Sequence, residues 1–378
     1  MKLITTLDIV ALALAIIHFG VPLIYYFYLK NRYLNKSWDI DSDDSYEPRI
    51  TIIVPTYNEA KLIEGKLDNI YEQSYPKNKL EIIVVDSAST DGTPELVKKW
   101  TEKHPDTNLK LIVENARRGK AYALNTALKH AIGEIVVITD VDSLWPNKET
   151  LSKVVKLFSD PTIGAVSCLK KPVGSGVRSV EEGYRQYYNV LRVAESKAYS
   201  TPIFHGELAA FRKDLLEKVS GFPTDIGADD SCTATRIALM GCRAIIPEDL
   251  WVEELVPSKG YFWWRVRRAQ HLIQHFTKIL REIRKAPKEF RRILAVETFL
   301  HLFNPWLLMV STILLVISIS VMQSLTALTL LAMGVVLLVV KPYRTWIAQQ
   351  THLIVASIRN LWTKEIAWSK QAKRTWKS

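Results

Sequence analysis

The chain is poor in the residues that would cross-link or ligate it: 378 residues carry three cysteines, Cys168, Cys232 and Cys242. A disulfide-stapled secreted domain is excluded. The three share no metal-ligand spacing and read as small buried residues. No tandem repeat or low-complexity tract occurs, and the composition excludes an intrinsically disordered chain. A Walker-type glycine loop and a GxGxxG fingerprint are both missing, so any nucleotide is held by other means. The missing charge is local. Ile9 to Leu29, 21 residues, and Thr298 to Val340, 43 residues, contain no Asp, Glu, Lys or Arg. Those runs exclude a plain soluble enzyme, because ~20 apolar residues span a bilayer. The remaining polar block excludes a wholly embedded transporter.

What is present is a net charge of +11, and it is placed beside the apolar runs. The first run ends in Tyr25-Tyr26-Phe27-Tyr28, an interfacial aromatic belt, and is longer than a signal-peptide core. It reads as a retained anchor. Lys30, Arg32 and Lys36 follow it, against Lys2 and Asp8 before it. The positive-inside rule then puts the polar block in the cytoplasm. The second run breaks at Met322-Gln323-Ser324 and predicts spans near 298–320 and 325–340. Seven basic residues lie between Lys278 and Arg292. After Val340, eight basic residues, Glu365 and four tryptophans (Trp346, Trp362, Trp368 and Trp376) predict helices on anionic headgroups. The alternative is that 351–358 dips into the bilayer or packs on the core. The charge pattern predicts membrane lipids as partners and no nucleic acid, since no nucleic-acid module signature occurs.

The polar block alternates buried strands with helices. Arg49–Pro55, Leu80–Val85, Leu109–Val113 and Glu134–Thr139 are short β-branched runs. Helices are predicted over 59–73, from Thr93-Pro94 onward with Thr93 as cap, and over 120–132. This pattern predicts a doubly wound, mostly parallel α/β sheet, whose ligands sit at the strands' carboxyl ends. Those exits are acidic: Asn58-Glu59 after the first strand, Asp86 and Asp91 after the second, Asp140 and Asp142 after the fourth. Like charges converging need a cation or a donor-rich ligand. Two carboxylates one residue apart suit Mg²⁺ or Mn²⁺ shared with substrate phosphates. Arg117-Arg118-Gly119-Lys120 supplies phosphate-binding cations at a helix N-terminus. Asp86 could accept hydrogen bonds from a base or ribose.

The ordered set Pro55-Thr56-Tyr57-Asn58-Glu59, Asp86 to Thr93, Gly119 to Asn125, Asp140-Val141-Asp142, Gly206 to Arg212, Gly221-Phe222 and Asp229-Asp230-Ser231 resembles the family 2 glycosyltransferases over about 50–275. The resemblance implies a GT-A-type, Rossmann-like mostly parallel sheet flanked by N- and C-terminal transmembrane helices. It implies that Pro55, Thr56, Tyr57, Glu59, Asp86, Lys120 and Asp140 bind nucleotide and sugar. Asp140 and Asp142 would hold the metal, and Asp230, beside Asp229, would be the general base. Trp263 to Gln270 is similar to the Gln-x-x-Arg-Trp segment of membrane polymer synthases. Arg265 and Arg267 match its arginines, Trp264 stands where Gln is usual and Arg268 where Trp is usual. Trp264, Arg265 and Arg267 are therefore expected at the acceptor and diphosphate. His205 and Glu207, ahead of an expected helix, are further candidates.

The expected organisation is an anchor over 1–30, a linker over 31–48, the catalytic domain over 49–275 and a basic interfacial helix over 276–296. Two transmembrane helices over 297–341 and a basic, Trp-rich interfacial tail over 342–378 complete it. The expected function is a multi-pass, membrane-bound inverting glycosyltransferase with a cytoplasmic catalytic domain. A nucleotide diphosphosugar, with UDP-sugar expected, would donate to a lipid, lipid-linked or growing glycan acceptor. The alternatives are a processive polysaccharide synthase and an inactive sugar-nucleotide-binding scaffold.

Overall fold

A computed structural model describes residues 3–173, 178–257 and 259–365. Among them, ten strands form two sheets: β1 (Ile50–Thr56), β2 (Leu80–Asp86), β3 (Asn108–Val113), β4 (Ile135–Ile138), β5 (Ser143–Leu144), β6 (Ile163–Ser167), β7 (Leu169–Val173), β8 (Ala209–Arg212), β9 (Arg243–Ile245) and β10 (Trp251–Leu255). The larger sheet runs β3-β2-β1-β4-β8-β6-β9, and the smaller runs β5-β10-β7. β3, β2, β1 and β4 are parallel neighbours, while β8 is antiparallel to both β4 and β6. The strand residues alternate between two cores. Ile53, Ile83, Val85, Val136 and Ile138 face one. Ile52, Ile82, Val84, Ile135 and Val137 face the other. Both faces are covered, so the strands read as near-continuous apolar runs.

The helices are α1 (Thr6–Leu29), α2 (Ile63–Tyr71), α3 (Thr93–Lys103), α4 (Lys120–Leu128), α5 (Thr150–Val155), α6 (Arg178–Ala198), α7 (Lys213–Lys218), α8 (Asp229–Leu239), α9 (Tyr261–Ile279), α10 (Lys288–Thr298), α11 (Asn304–Met322), α12 (Leu325–Leu337) and α13 (Lys341–Arg359). Three departures from the sequence reading have local causes. α2 begins at Ile63 rather than near 59, because Asn58 takes a left-handed φ of 55°. The next N–H groups turn to the 86–93 loop: Glu59 N–H donates to Thr93 Oγ1 and Ala60 N–H to Asp91 Oδ2. The cap of α3 is Gly92, at φ 86°, and Thr93 is its first helical residue. His205 and Glu207 precede strand β8 rather than a helix. Cys168 and Cys232 are buried as expected, whereas Cys242 is partly exposed.

Among the described residues, two helices are long and apolar enough to cross a membrane: Thr6–Leu34, and Lys288–Met322, which joins α10 to α11 through a π-turn at Phe299–Phe303. The expected interfacial helix over 276–296 is divided between the end of α9 and α10 by a short 3₁₀ turn at Ile283–Lys285. α12 has 13 residues, about 20 Å at ~1.5 Å per residue, shorter than a ~30 Å hydrocarbon core. It meets α13 at 105°. Asp8 fastens one end of this bundle by accepting from Ser318 Oγ and Ser324 Oγ, both at 2.6 Å. α13 packs on α9, burying Leu353 and Ala356 against Val266, Ala269 and Ile273. Trp346 donates to His18 of α1 at 2.9 Å, whereas Trp362 is exposed. Trp368 and Trp376 lie outside the described residues. Within the expected linker over 31–48, Trp38, Ile40 and Tyr46 pack against the cores.

Candidate active site

A cavity of about 650 Å³ opens at the carboxyl ends of β1 and β4. Its floor is the end of β1 and the loop that follows (Pro55 to Glu59), Lys120 at the start of α4, and Asp140 and Asp142 after β4. The 204–207 turn and Asp229 and Asp230, at the start of α8, form one side. α6, α9 and α13 form the far wall, through Tyr184, Tyr188, Trp264, Arg265, Arg267, Arg268 and Gln349 among others.

The centre is a lysine among carboxylates. Lys120 Nζ lies 2.6 Å from Asp140 Oδ1. Gly206 sits against both. A methyl group there would lie 2.4 Å from Lys120 Nζ, 3.2 Å from Asp230 Oδ2 and 3.7 Å from Asp140 Oδ2. A side chain at 206 would therefore fill the point where these three groups converge. Burial works against the Lys120 ammonium, but Asp140, Asp229 and Asp230 outweigh it and raise its pKa. Burial, and next the adjacent Asp229, push the Asp230 carboxyl up to about 7, while Lys120 opposes them. Asp229 is raised as well, by burial first; Lys120 opposes this and Asp140 adds to it. Asp230 Oδ1 accepts the Ser231 N–H at 2.6 Å, which orients the carboxylate at the helix start.

The loops at the nucleotide end hold one another. Thr56 Oγ1 donates to Asp86 Oδ1 at 3.0 Å, and Ser89 donates to Asp86 through both N–H and Oγ. Asp86 is 0% exposed and does not line the cavity. Its carboxylate shapes the loops after β1 and β2 instead of facing the open space. Arg117 stacks over Tyr57, 3.9 Å from the ring centroid, and both line the cavity.

The far wall is a buried ionic lattice that the sequence did not announce. Glu207 accepts from Lys170 at 2.9 Å and from Arg268 at 2.8 Å. Glu254 takes Arg185 at 3.2 Å and also Arg268. Glu181 takes Arg185 at 2.9 Å, Arg265 at 3.2 Å and the Tyr261 hydroxyl at 2.7 Å. Burial alone would raise Glu207, but Lys170 and Arg268 hold its carboxyl well below the usual range. Burial, and next Arg268, lower Arg267 to about 10. The Glu207 backbone carbonyl accepts from Thr139 Oγ1 at 2.8 Å and Ser143 Oγ at 3.1 Å. One residue thus ties the loop carrying Asp140 and Asp142 to the far wall.

The structure therefore brings Pro55, Thr56, Tyr57, Glu59, Lys120, Asp140, Asp142, Asp229, Asp230, Trp264, Arg265 and Arg267 to one cavity. Asp86 stands behind it. Sequence reading missed Tyr184, Arg185, Tyr188 and Arg192 of α6, and Gln349 of α13. The α6 residues fall at helical spacing, a stripe legible as one face of a helix. Gln349 carried no signal.

An α/β sheet of this order, with paired acids at one strand exit and a carboxylate base candidate opposite, defines a nucleotide-sugar transferase site. Residues 51–220 match the family described as glycosyl transferase family 2. The structure superposes on the mannosyltransferase PcManGT from Pyrobaculum calidifontis, solved in complex with GDP-Man and Mn²⁺. The TM-score is 0.88 at 58% identity, over 95% of this chain and 100% of that one. Poly-β-1,6-N-acetyl-D-glucosamine synthase of Staphylococcus epidermidis is 24% identical over 262 residues, and that of Staphylococcus aureus 29% over 263. The match spans 62% of the length of these curated relatives. TarS 1–349 of S. aureus shares the fold, with a TM-score of 0.51 at 20% identity. The chain belongs to glycosyltransferase family 2 and is a glycosyltransferase with a GT-A-like mostly parallel sheet.

Proposed function

We propose that the protein is a membrane-integrated, inverting mannosyltransferase that uses GDP-mannose and Mn²⁺ at the cytoplasmic face. Its acceptor is a lipid, a lipid-linked glycan or a growing glycan. The observation that carries the donor is the 58% identity, over the whole of its length, to a mannosyltransferase bound to GDP-Man and Mn²⁺. The membrane placement is supported by the two long apolar helices and by Lys30, Arg32 and Lys36 after the first.

The donor set fits the metal. Asp140 and Asp142 offer hard oxygens, and Asp140 already holds a cation, the Lys120 ammonium, at 2.6 Å. Among the described residues no group of three His, Cys, Asp or Glu forms a complete cage. A site shared between carboxylates and the donor's diphosphate needs none. When bound there, the ion offsets the charge developing on the departing diphosphate.

The chain's own residues do the rest. Lys120 contributes a fixed positive charge beside the carboxylates. Asp230 accepts the proton of the acceptor hydroxyl as its oxygen bonds to the anomeric carbon. The bond from that carbon to the diphosphate oxygen breaks, and configuration inverts. A base whose pKa lies near 7 is matched to this task.

The test of the donor is a thermal shift and a nucleotide-release assay with purified protein and Mn²⁺. GDP-mannose should raise the Tm and support GDP release. UDP-sugars, the donors expected from the sequence, should do neither. Release of UDP alone would replace the mannosyl reading with that one. A pH profile checks the base. Asp230 acts only when deprotonated, so kcat/KM should rise with pH and level off above about 7. Asp229 raises the Asp230 pKa, so Asp229→Asn should move the rising limb to lower pH. A limb that stays in place would remove Asp230 from the role.

The poly-N-acetylglucosamine synthases among the relatives favour a second reading, processive polymerisation. Product length separates the two: single additions support the first reading, and a ladder supports the second.

A further inference from the structure

Helix α2 carries a lysine that the chemistry above does not use. Lys66 is 0% exposed. Its ammonium donates to the Ser143 carbonyl at 3.0 Å, lies 3.5 Å from Ser143 Oγ, and sits 4.4 Å over the Trp145 ring. It has no ion-pair partner among the described residues. Burying an ammonium without a carboxylate is unfavourable, and a methionine of similar length would fill the same space. One helical turn on, Asn69 donates to the Trp145 carbonyl and accepts its N–H, both at 2.9 Å. Residues three apart share a helix face. Both therefore grip the same short segment, which begins one residue after Asp142.

We propose that Lys66 and Asn69 are positioning residues that hold the Asp140–Asp142 loop in the shape that takes a divalent cation together with the donor's diphosphate. The proposal rests on the reading of Asp140 and Asp142 as metal ligands. From the cavity side, Lys120 and any diphosphate pull on the carboxylates. From behind, only backbone and buried side chains can fix where they point. Ser143 N–H and Oγ already turn back to the Asp140 carbonyl, at 3.4 and 2.8 Å. Lys66 then fixes the other end of that turn by its carbonyl, and Asn69 fixes Trp145 beyond it. A buried amine with no room to move suits a carbonyl that must not swing, and Lys66 offers its N–H groups to that carbonyl at 3.0 Å.

The experiment is Mn²⁺ binding to the full-length purified protein, read by the electron paramagnetic resonance signal of free Mn²⁺ in saturating GDP. GDP binding without metal and the Tm are measured alongside. Lys66→Met should weaken Mn²⁺ binding by about tenfold, the scale of losing an outer-shell partner of a metal ligand. GDP affinity without metal should not change. Asn69→Leu removes the second grip and should act in the same direction, which keeps the test open if Lys66→Met does not fold. Mn²⁺ binding as tight as, or tighter than, wild type in the folded variants would overturn the proposal. So would a parallel loss of metal-free GDP binding, which would mark a general structural role. If wild type binds Mn²⁺ with UDP and not GDP, the donor reading falls, and the same comparison in UDP decides the role of Lys66. If it binds Mn²⁺ with neither, the metal-ligand reading and this proposal fall together.

Discussion

Asp230→Asn will lower turnover by about 10²–10⁴-fold, the usual contribution of a positioned general base, while the protein stays folded and binds its donor. Asparagine keeps the shape of the side chain, and its amide oxygen can still accept the Ser231 N–H that orients Asp230. What it loses is the capacity to take a proton. The site leaves few substitutes for that capacity. Asp229, adjacent and also lining the cavity, is the carboxylate placed to replace it, and Asp229→Asn combined with Asp230→Asn measures its share. Asp140 is engaged by Lys120 at 2.6 Å. His205 is held neutral by burial and by Lys170, but its backbone is pinned to Ser167 on the strand side of the turn. Single-turnover kinetics with bound donor separate the chemical step from binding. Turnover within about tenfold of wild type would place the base elsewhere, because a tenfold effect is only ~1.4 kcal/mol of barrier.

Much of this site could be read from the sequence because its acids stand where buried strands end. A run such as Ile-Val-Val-Ile followed by Thr-Asp-Val-Asp has few structural explanations: the strand is apolar, and the two carboxylates cannot continue it. The same logic identified Lys120, the first residue of a helix whose N-terminus opens on the cavity. For Asp86 it left two uses open. A carboxylate at a strand exit can face the ligand or knit the loops, and here the Thr56 and Ser89 hydroxyls hold it among the loops. That choice depends on partners 30 residues and three residues away, and no local pattern encodes it. The ion pairing of the far wall was illegible for a stronger reason. Arg265, Arg267 and Glu207 stood out as single residues, but Glu181 and Glu254 look like ordinary surface acids one at a time. Their partners Lys170, Arg185, Arg265 and Arg268 come from β7, α6 and α9, which meet only in the fold. α12 was misjudged in length because apolar composition continues to Val340, beyond the turn of chain at which the helix stops.

The buried lattice carries the largest expected effect on stability. Glu207→Gln should lower stability by ~3–5 kcal/mol, the range for breaking a buried ion pair. At ~2–4 °C per kcal/mol for a domain of this size, the Tm should fall by roughly 6–20 °C. Glu207 is 3% exposed and is, with Glu254, one of the two carboxylates that Lys170 and Arg268 share. Glutamine fits the space but leaves the Lys170 ammonium and the Arg268 guanidinium to share Glu254 with Arg185. The cost is therefore that of stranded charge, and it has a signature that lost packing lacks. Removing the stranded ammonium as well, in Glu207→Gln combined with Lys170→Met, should recover part of the Tm instead of adding to the loss. A double-mutant cycle measures that coupling. If the two changes simply add, the lattice is not acting as a charge-balanced unit. Because the Glu207 carbonyl also anchors Thr139 and Ser143 beside Asp140 and Asp142, a folded Glu207→Gln protein should bind Mn²⁺ with donor more weakly than wild type. The far wall would then be seen to set, through the Glu207 backbone, the geometry of the carboxylates across the cavity.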